Sequence, residues 1–131
     1  MITCQWRGDF TSTELEALHA GGFGRVPGAC DWKAQVEAHS LGWLCARRVG
    51  ELAGFVNVAW DGGVHAFIID TVVARPLRRH RIGTRLVEVA TRHAREAGGE
   101  WLHVDLEDHL AQFYFGCCGF RPTNAGLIRL D

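Results

Sequence analysis

An arginine-rich turn between an apolar run and a helical pattern holds the residue types best suited to chemistry. We call residues 78–81 the arginine turn, because it contains Arg78, Arg79 and Arg81. No acidic residue occurs from Thr71 to Val87. The first N–H groups of a helix have no intrahelical acceptor, and the helix dipole adds about half a positive charge at the same end. The turn therefore predicts a phosphate-binding site; the alternative is a solvated arginine-rich loop.

Several common binding motifs are absent. The chain has neither G-x-x-x-x-G-K-[S/T] nor G-x-G-x-x-G, so nucleotide hydrolysis and dinucleotide redox chemistry lack their usual loops. It has no His-Glu-x-x-His and no close Cys and His pairing, so we expect no metal site. Its five cysteines include no Cys-x-x-Cys pair, and we expect them to be reduced and buried.

A long helix follows the arginine turn. Apolar residues recur at helical spacing from Ile82 to Ala97, and Gly98 and Gly99 end the pattern. Trp101 to Val104 is a predicted strand. A strand, a helix and a strand in this order favour parallel pairing of the two strands.

Three extended runs precede the turn. They are Trp43–Arg48, Leu52–Trp60 and Val64–Val73, and short glycine-containing links join them, which predicts an antiparallel meander. The last run is apolar on both alternations, as is typical of a central strand covered on both sides. Its two predicted faces are Phe67, Ile69 and Val73 on one side, and Ile68 and Val72 on the other.

The two ends of the chain complete the pattern. Thr11 and Glu14 have the spacing of a capping box, which predicts a first helix to about His19, ended by Gly21 and Gly22. The other predicted elements are a strand at Ile2–Trp6, a helix from Asp31 to about Ser40, a helix around Leu110–Phe115, and closing strands near Phe120 and Leu127–Leu130. Together they predict an α+β fold, with one mixed, mostly antiparallel sheet and helices on both faces.

Composition limits the class of protein. With 131 residues, of which 47% are hydrophobic and 22% charged, the chain suits a single domain over residues 1–131. No apolar run approaches the roughly 20 residues of a membrane span, and the first ten residues show no secretion signal, so we expect a cytoplasmic protein. A net charge of −1 excludes a globally polybasic chain.

Two motifs resemble those of the GCN5-related N-acetyltransferase (GNAT) family. Val73 followed by Arg78-x-x-Arg81-x-Gly83-Thr84-x-Leu86 is similar to motif A, usually Arg/Gln-x-x-Gly-x-Gly/Ala. The stretch 111–120, with Tyr114 and a Gly-Phe pair, is similar to the closing pattern of that family. The resemblance implies a GNAT-like fold and an acetyl-CoA-dependent N-acetyltransferase, which moves an acetyl group directly to the amine of a small molecule or peptide.

The resemblance also implies residues for the cosubstrate. In the family, the amides of this loop hold the pyrophosphate of acetyl coenzyme A, and backbone N–H groups on the preceding strand face the thioester carbonyl. Asp108 occupies the register of a residue that touches the pantetheine arm. The implied cosubstrate-binding residues are Val72, Val73, Arg78, Arg79, His80, Arg81, Ile82, Gly83, Thr84 and Asp108.

The chain departs from the family pattern at two positions. Arg81 replaces the first glycine of the loop, so a positive φ there would strain its backbone. Four residues separate Tyr114 from Gly119, where the family has three, and Phe115 takes the usual register. Either the turn contains an inserted residue or the phenol is displaced.

Three residues are candidates for catalysis. Tyr114, the only tyrosine, is the candidate acid that protonates the departing thiolate; the alternative is packing on the last strand. Asp70, the only acidic residue from His65 to Ala74, is the candidate base; the alternative is a hydrogen bond to a strand bulge or an arginine partner. Glu107 is a second candidate base, or simply a first-turn acid. His65 and His103 are candidate proton relays.

The acceptor and the alternative functions are less defined. The resemblance places the acceptor amine against the early helices and the hairpin, where the aromatic residues are Trp32, Trp43, Phe55 and Trp60, with Asn57 as a polar anchor. The alternative, which we favour for most of these aromatic residues, is packing in the core. One alternative is a catalytically degenerate acyl-CoA-binding module. A nucleic-acid patch at Arg75–Arg85 lacks the aromatic platform of single-strand binders, so we expect neither nucleic acid nor membrane as a partner. The resemblance allows a homodimer.

Overall fold

A five-stranded sheet forms the centre of the protein. The structure is a computed structural model that describes residues 1–131. The strands are β1 (Ile2–Trp6), β2 (Ser40–Arg48), β3 (Glu51–Trp60), β4 (His65–Val73) and β5 (Trp101–Val104), and their order in the sheet is β1-β2-β3-β4-β5. Strands β1 to β4 pair antiparallel, and β5 pairs parallel with β4, which confirms the predicted pairing.

Helices cover both faces of the sheet, as the sequence predicts for an α+β fold. They are α1 (Ser12–Phe23), α2 (Trp32–His39) and α3 (Ile82–Glu96). α1 and α2 enclose an apolar cluster on one face, and α3 encloses a larger cluster on the other. No helix in the structure is both long enough and apolar enough to span a membrane.

α1 is longer than predicted, because its glycines do not end it. The capping box at Thr11 and Glu14 is present, but the helix continues through Gly21 and Gly22 and stops at Gly24, which has φ +67°. A Cβ on Gly22 would collide with Val72 Cγ2. Glycine is needed here because α1 packs closely on β4.

The prediction that β4 is covered on both sides is wrong for its first half. Phe67 and Ile69 are 40% and 41% exposed, and neither packs in the cluster that α1 and α2 enclose. Val72 packs in the α1–α2 cluster, whereas Ile68 and Val73 pack with α3. With strict alternation, Val72 and Ile68 would lie on the same face of the sheet. The backbone between them must therefore contain an irregularity that reverses the alternation.

The two predicted closing strands are absent. No strand follows Val104, and Leu127, Ile128 and Leu130 are 82%, 82% and 96% exposed. Their apolar side chains are typical of a strand, but the segment gains neither a paired edge nor a buried face, which is what stabilises a strand. The cysteines are all free, but only Cys45 is buried, so their predicted burial is wrong for the rest.

Candidate active site

A cleft opens where β4 and β5 separate. The two strands pair only over His65–Ile68 and Trp101–Val104. Beyond this point β4 continues to Val73, while the chain after β5 turns away into a 3₁₀ turn at Asp108–Leu110. The end of β4, residues 104–107, the arginine turn and the first turn of α3 line the cleft.

The backbone N–H groups at the start of α3 have no acceptors in the structure. Those of residues 79–83 make no hydrogen bond in the structure, and all five residues line the cleft. The first backbone hydrogen bond that returns to the turn is from Arg85 N–H to Arg81 O, at 3.1 Å. Free donors at a helix N-terminus suit a phosphate.

Arg81 adopts the left-handed conformation that its glycine-like position demands. It is the N-cap residue of α3, with φ +62° and ψ +16°, and Arg79 has φ +71°. A left-handed backbone costs a non-glycine residue roughly 1–2 kcal/mol. Two such residues in one short turn show that the surrounding structure imposes the shape of the turn.

We expect Arg81→Gly to match the native protein in stability or to gain up to about 1 kcal/mol, because relief of strain exceeds the chain entropy of glycine. The variant should retain most of its affinity for inorganic pyrophosphate, whereas Arg81→Glu should lose it by charge repulsion. Urea unfolding and calorimetry measure the two effects. An equal loss of affinity in both variants would show that the guanidinium group, rather than the backbone, holds the anion.

Arg78 points its side chain toward α1. Its Nε donates to Val73 O at 3.3 Å and its Nη2 donates to Gly22 O at 3.2 Å. Arg75 Nε donates to Gly21 O at 3.4 Å. These two arginines therefore connect the C-terminal end of α1 to the end of β4. Arg78 lines the cleft, but its guanidinium group is engaged by these carbonyl oxygens.

Asp70 lies at the bulge that changes the parity of β4. Phe55 pairs with Val72 and Asn57 pairs with Ile69, so β4 advances three residues while β3 advances two. Asp70 has φ +56°, a conformation that aspartate tolerates better than most residues. The extra residue explains why Val72 changes face.

The partner of Asp70 is a histidine, whereas the alternative interpretation of the sequence named an arginine. His19 Nε2 lies 2.9 Å from Asp70 Oδ1, and both residues line the cleft. The second carboxylate oxygen, Oδ2, has no protein partner. Asp70 therefore keeps one carboxylate oxygen without a protein partner, on the side of β4 where α1 lies.

The structure resolves the spacing of Tyr114 in favour of an inserted residue. Residues Gln112–Cys117 form a π-helix, and Cys118 N–H donates to Phe113 O, five residues earlier, at 3.0 Å. A π turn accommodates one residue more than an α turn. Tyr114 therefore stays buried, with 6% exposure, and lines the cleft.

The surroundings of Tyr114 keep its phenol protonated. Burial raises its pKa above the ordinary 10.0, and the nearby Thr71 hydroxyl opposes this rise to a smaller extent. Thr71 Oγ1 is itself buried and makes no hydrogen bond of normal geometry. A protonated phenol beside an unpartnered hydroxyl can donate a proton to a group in the cleft.

Asp70 and Tyr114 lie on opposite sides of β4. Asp70 contacts α1 through His19, whereas Thr71, the next residue, is close to Tyr114. The bulge therefore separates a carboxylate on the α1 side from a phenol on the other side, across one strand.

The remaining sequence-predicted polar residues are less well placed. Glu107 lines the cleft, but it is exposed and lies 3.4 Å from His109 Nδ1. Asp108 is exposed and does not line the cleft, so its position gives no support to a pantetheine contact. His65 Nδ1 and His103 Nε2 are 2.8 Å apart, outside the cleft lining.

The predicted aromatic acceptor wall is mostly core. Trp32, Trp43 and Phe55 are 6%, 5% and 0% exposed, so they cannot contact an acceptor. Asn57 is buried and accepts a hydrogen bond from Ser40 Oγ at 2.5 Å. Sequence reasoning missed His19 and Thr71, because neither belongs to a motif.

A buried carboxylate fixes the α1–α2 loop (residues 24–31) beside the cleft. Glu16 accepts from Arg25 Nη1 at 2.8 Å, Arg25 Nη2 at 2.6 Å, Gly28 N–H at 2.6 Å and Trp32 Nε1 at 3.0 Å. These donors, Arg25 foremost, hold the pKa of Glu16 well below its ordinary 4.5.

Folding lowers the pKa of Glu16 below its ordinary 4.5. The ionised carboxylate therefore contributes fully to stability when the pH is above 4.5, and this contribution is lost as the pH falls below that value. We expect Glu16→Gln to lower the melting temperature at neutral pH and to make the melting temperature less sensitive to a fall in pH. Thermal melts at a series of pH values measure this, with the exposed Glu37→Gln as the control. Parallel pH curves for Glu16→Gln and the native protein would contradict it.

Comparisons with known proteins agree with the observed fold. A model of the acetyltransferase (GNAT) family matches residues 5–120. A Staphylococcus aureus protein, SA2161, described as a probable acetyltransferase, superposes with a TM-score of 0.82 at 20% identity, over 100% of this chain and 99% of that chain. Glucosamine-6-phosphate N-acetyltransferase from Arabidopsis thaliana gives 0.76 at 18% identity, over 98% of each chain. AAC(6′)-Iy, solved with the bisubstrate analogue CoA-S-monomethyl-acetylneamine, gives 0.71 at 17% identity, over 100% and 98%. No curated protein matches.

Proposed function

Because the chain belongs to the acetyltransferase (GNAT) family, we propose that it is an N-acetyltransferase. It moves an acetyl group from acetyl coenzyme A directly to the amine of a small molecule or peptide. The observation that carries the proposal is that the N–H groups of residues 79–83 are free and that all five residues line a cleft between two separating strands.

The residues of the cleft fit the cosubstrate. The free amides and the positive end of α3 suit a diphosphate, and the cations Arg79 and Arg81 add charge of the right sign. The gap between β4 and β5 suits an extended pantetheine arm, with Val72 and Val73 along one wall. The other residues that would hold the cosubstrate are Arg78, His80, Ile82, Gly83 and Thr84.

The chain supplies an acid and a base for the transfer. When bound, acetyl coenzyme A supplies the acetyl group as a thioester, and its transfer to a neutral amine releases the thiol. Asp70 Oδ2 takes the proton of the acceptor amine on the α1 side of β4. Tyr114 donates a proton to the departing sulfur on the other side. Backbone N–H groups near Val72 and Val73 stabilise the carbonyl oxygen as it gains charge.

Glu107 remains a second candidate base. It lines the same cleft, but it is exposed and lacks the fixed partner that Asp70 has. A cytoplasmic location and a homodimer stay predictions from the sequence.

The experiment follows coenzyme binding and turnover separately. Calorimetry with coenzyme A and a free-thiol assay with a panel of amines should show both binding and acetyl-CoA consumption. Arg79→Glu should weaken binding, while Arg95→Glu, which changes an exposed arginine in the last turn of α3, should not. Tight binding without turnover on any amine would favour the acyl-CoA-binding module. No binding of coenzyme A would overturn the proposal.

A further inference from the structure

Four side chains form a hydrogen-bonded series from α1 to the cleft. Glu16 binds Arg25 through two hydrogen bonds. Arg25 Nη2 lies 2.9 Å and its Nε 3.3 Å from His19 Nδ1. His19 Nε2 lies 2.9 Å from Asp70 Oδ1. The series ends at the carboxylate that the proposed function uses as base.

The chemistry of the donors fixes the tautomer of His19. A guanidinium group carries only donors, so His19 Nδ1 must offer its lone pair to Arg25. The ring proton is therefore on Nε2, which donates to Asp70 Oδ1. His19 is neutral in this arrangement and cannot take a second proton at Nδ1 unless Arg25 moves.

The position of His19 is fixed from three sides. The rings of Phe23 and Trp32 lie 4.4 Å and 4.8 Å from the imidazole, centroid to centroid. Glu16, which is 5% exposed, holds Arg25 and also bonds Trp32 Nε1. The same buried carboxylate thus orients both the guanidinium group and one of the rings that pack on His19. The charged groups around the imidazole are Arg25, Glu16 and Asp70.

We propose that His19 is a positioning residue for Asp70, with its tautomer set by Arg25; this rests on the proposed function. The Nε2–H bond fixes Oδ1 and leaves Oδ2 directed at the acceptor amine. The amine proton passes to Oδ2 and from there to solvent after transfer. His19 neither gains nor loses a proton, because Arg25 occupies its only lone pair.

Three variants test the proposal. His19→Phe retains a ring between Phe23 and Trp32 but removes the donor, so kcat should fall by about 10²-fold, as expected when a reacting group is misplaced. The KM for acetyl-CoA should not change. His19→Gln keeps an N–H donor at the position of Nε2 and an acceptor for Arg25, so it should recover most of the turnover.

Arg25→Met tests the tautomer directly. The ¹⁵N spectrum of the His19 ring should show a proton on Nε2 alone in the native protein, and a mixture of tautomers in Arg25→Met with reduced kcat. Arg47→Met is the matched control, because Arg47 makes an equivalent double contact with Glu14, at 2.9 and 2.8 Å, at the other end of α1. The control should change neither the spectrum nor kcat.

The outcomes separate this inference from the proposed function. Native turnover in His19→Phe, or a proton on Nδ1 in the native protein, would overturn the role of His19 while leaving the acetyltransferase intact. Absence of turnover by the native protein would overturn the proposed function and with it the catalytic role of the pair. The ring spectrum would then still confirm or overturn the tautomer. Circular dichroism of each variant identifies a loss of fold.

Discussion

Tyr114→Phe should lower kcat by about 10²- to 10⁴-fold, the range expected for loss of a general acid. The affinity for coenzyme A should stay the same, because the substitution removes one oxygen from a buried ring. The native activity should persist to alkaline pH, since burial raises the pKa of Tyr114 and keeps it protonated. In Tyr114→Phe, kcat should no longer fall at the alkaline end of the pH range. Steady-state kinetics over pH measure both effects.

The π-helix supplies a control for this prediction. Phe115 occupies the register that the family spacing assigns to tyrosine, but the π turn directs residue 114 to the cleft. The double variant Tyr114→Phe with Phe115→Tyr should therefore stay inactive. Restored turnover would mean that the phenol acts from position 115. Native turnover in Tyr114→Phe alone would remove Tyr114 from the mechanism.

Asp70→Asn should lower kcat/KM by about 10²- to 10⁴-fold at neutral pH. Asparagine is almost the same size and tolerates the left-handed conformation that Asp70 adopts at φ +56°. The bulge should therefore survive and only the base is lost. Raising the pH should recover part of the activity, because more of the acceptor amine is then neutral without help from the protein.

Asp61→Asn is the control, because this aspartate caps the exposed β3–β4 turn through bonds to Gly63 and His65 N–H. It should alter neither turnover nor its pH dependence. A fall in coenzyme A affinity in Asp70→Asn equal to the fall in kcat/KM would show that the carboxylate supports the binding site rather than proton transfer.

Local signals allowed the helix start after the arginine turn to be predicted, because they depend on near neighbours in sequence. The period of α3 and the arginines before it place free amides at a helix N-terminus without knowledge of the rest of the fold. The extra residue near Tyr114 was visible as a spacing. The π turn itself could not be predicted, since it depends on which aromatic rings pack in the core and which line the cleft.

Tertiary contacts explain what the sequence could not predict. His19 and Asp70 are 51 residues apart, and no pattern links them. The bulge at Asp70 follows from the register between β3 and β4, which periodicity alone treats as regular. The sequence pattern predicts a helix end at Gly22 because the contact of this residue with Val72 exists only in the folded chain.

The ties made by Arg78 and Arg75 have a consequence for ionic strength. The guanidinium group of Arg78 already donates to the carbonyls of Gly22 and Val73. Fewer free guanidinium groups are therefore left for a bound diphosphate than the number of arginines implies. Neutral amides supply much of the attraction instead, and salt screens these short contacts far less than it screens exposed charges. Dissociation constants for coenzyme A should therefore rise only gently between dilute buffer and concentrated potassium chloride.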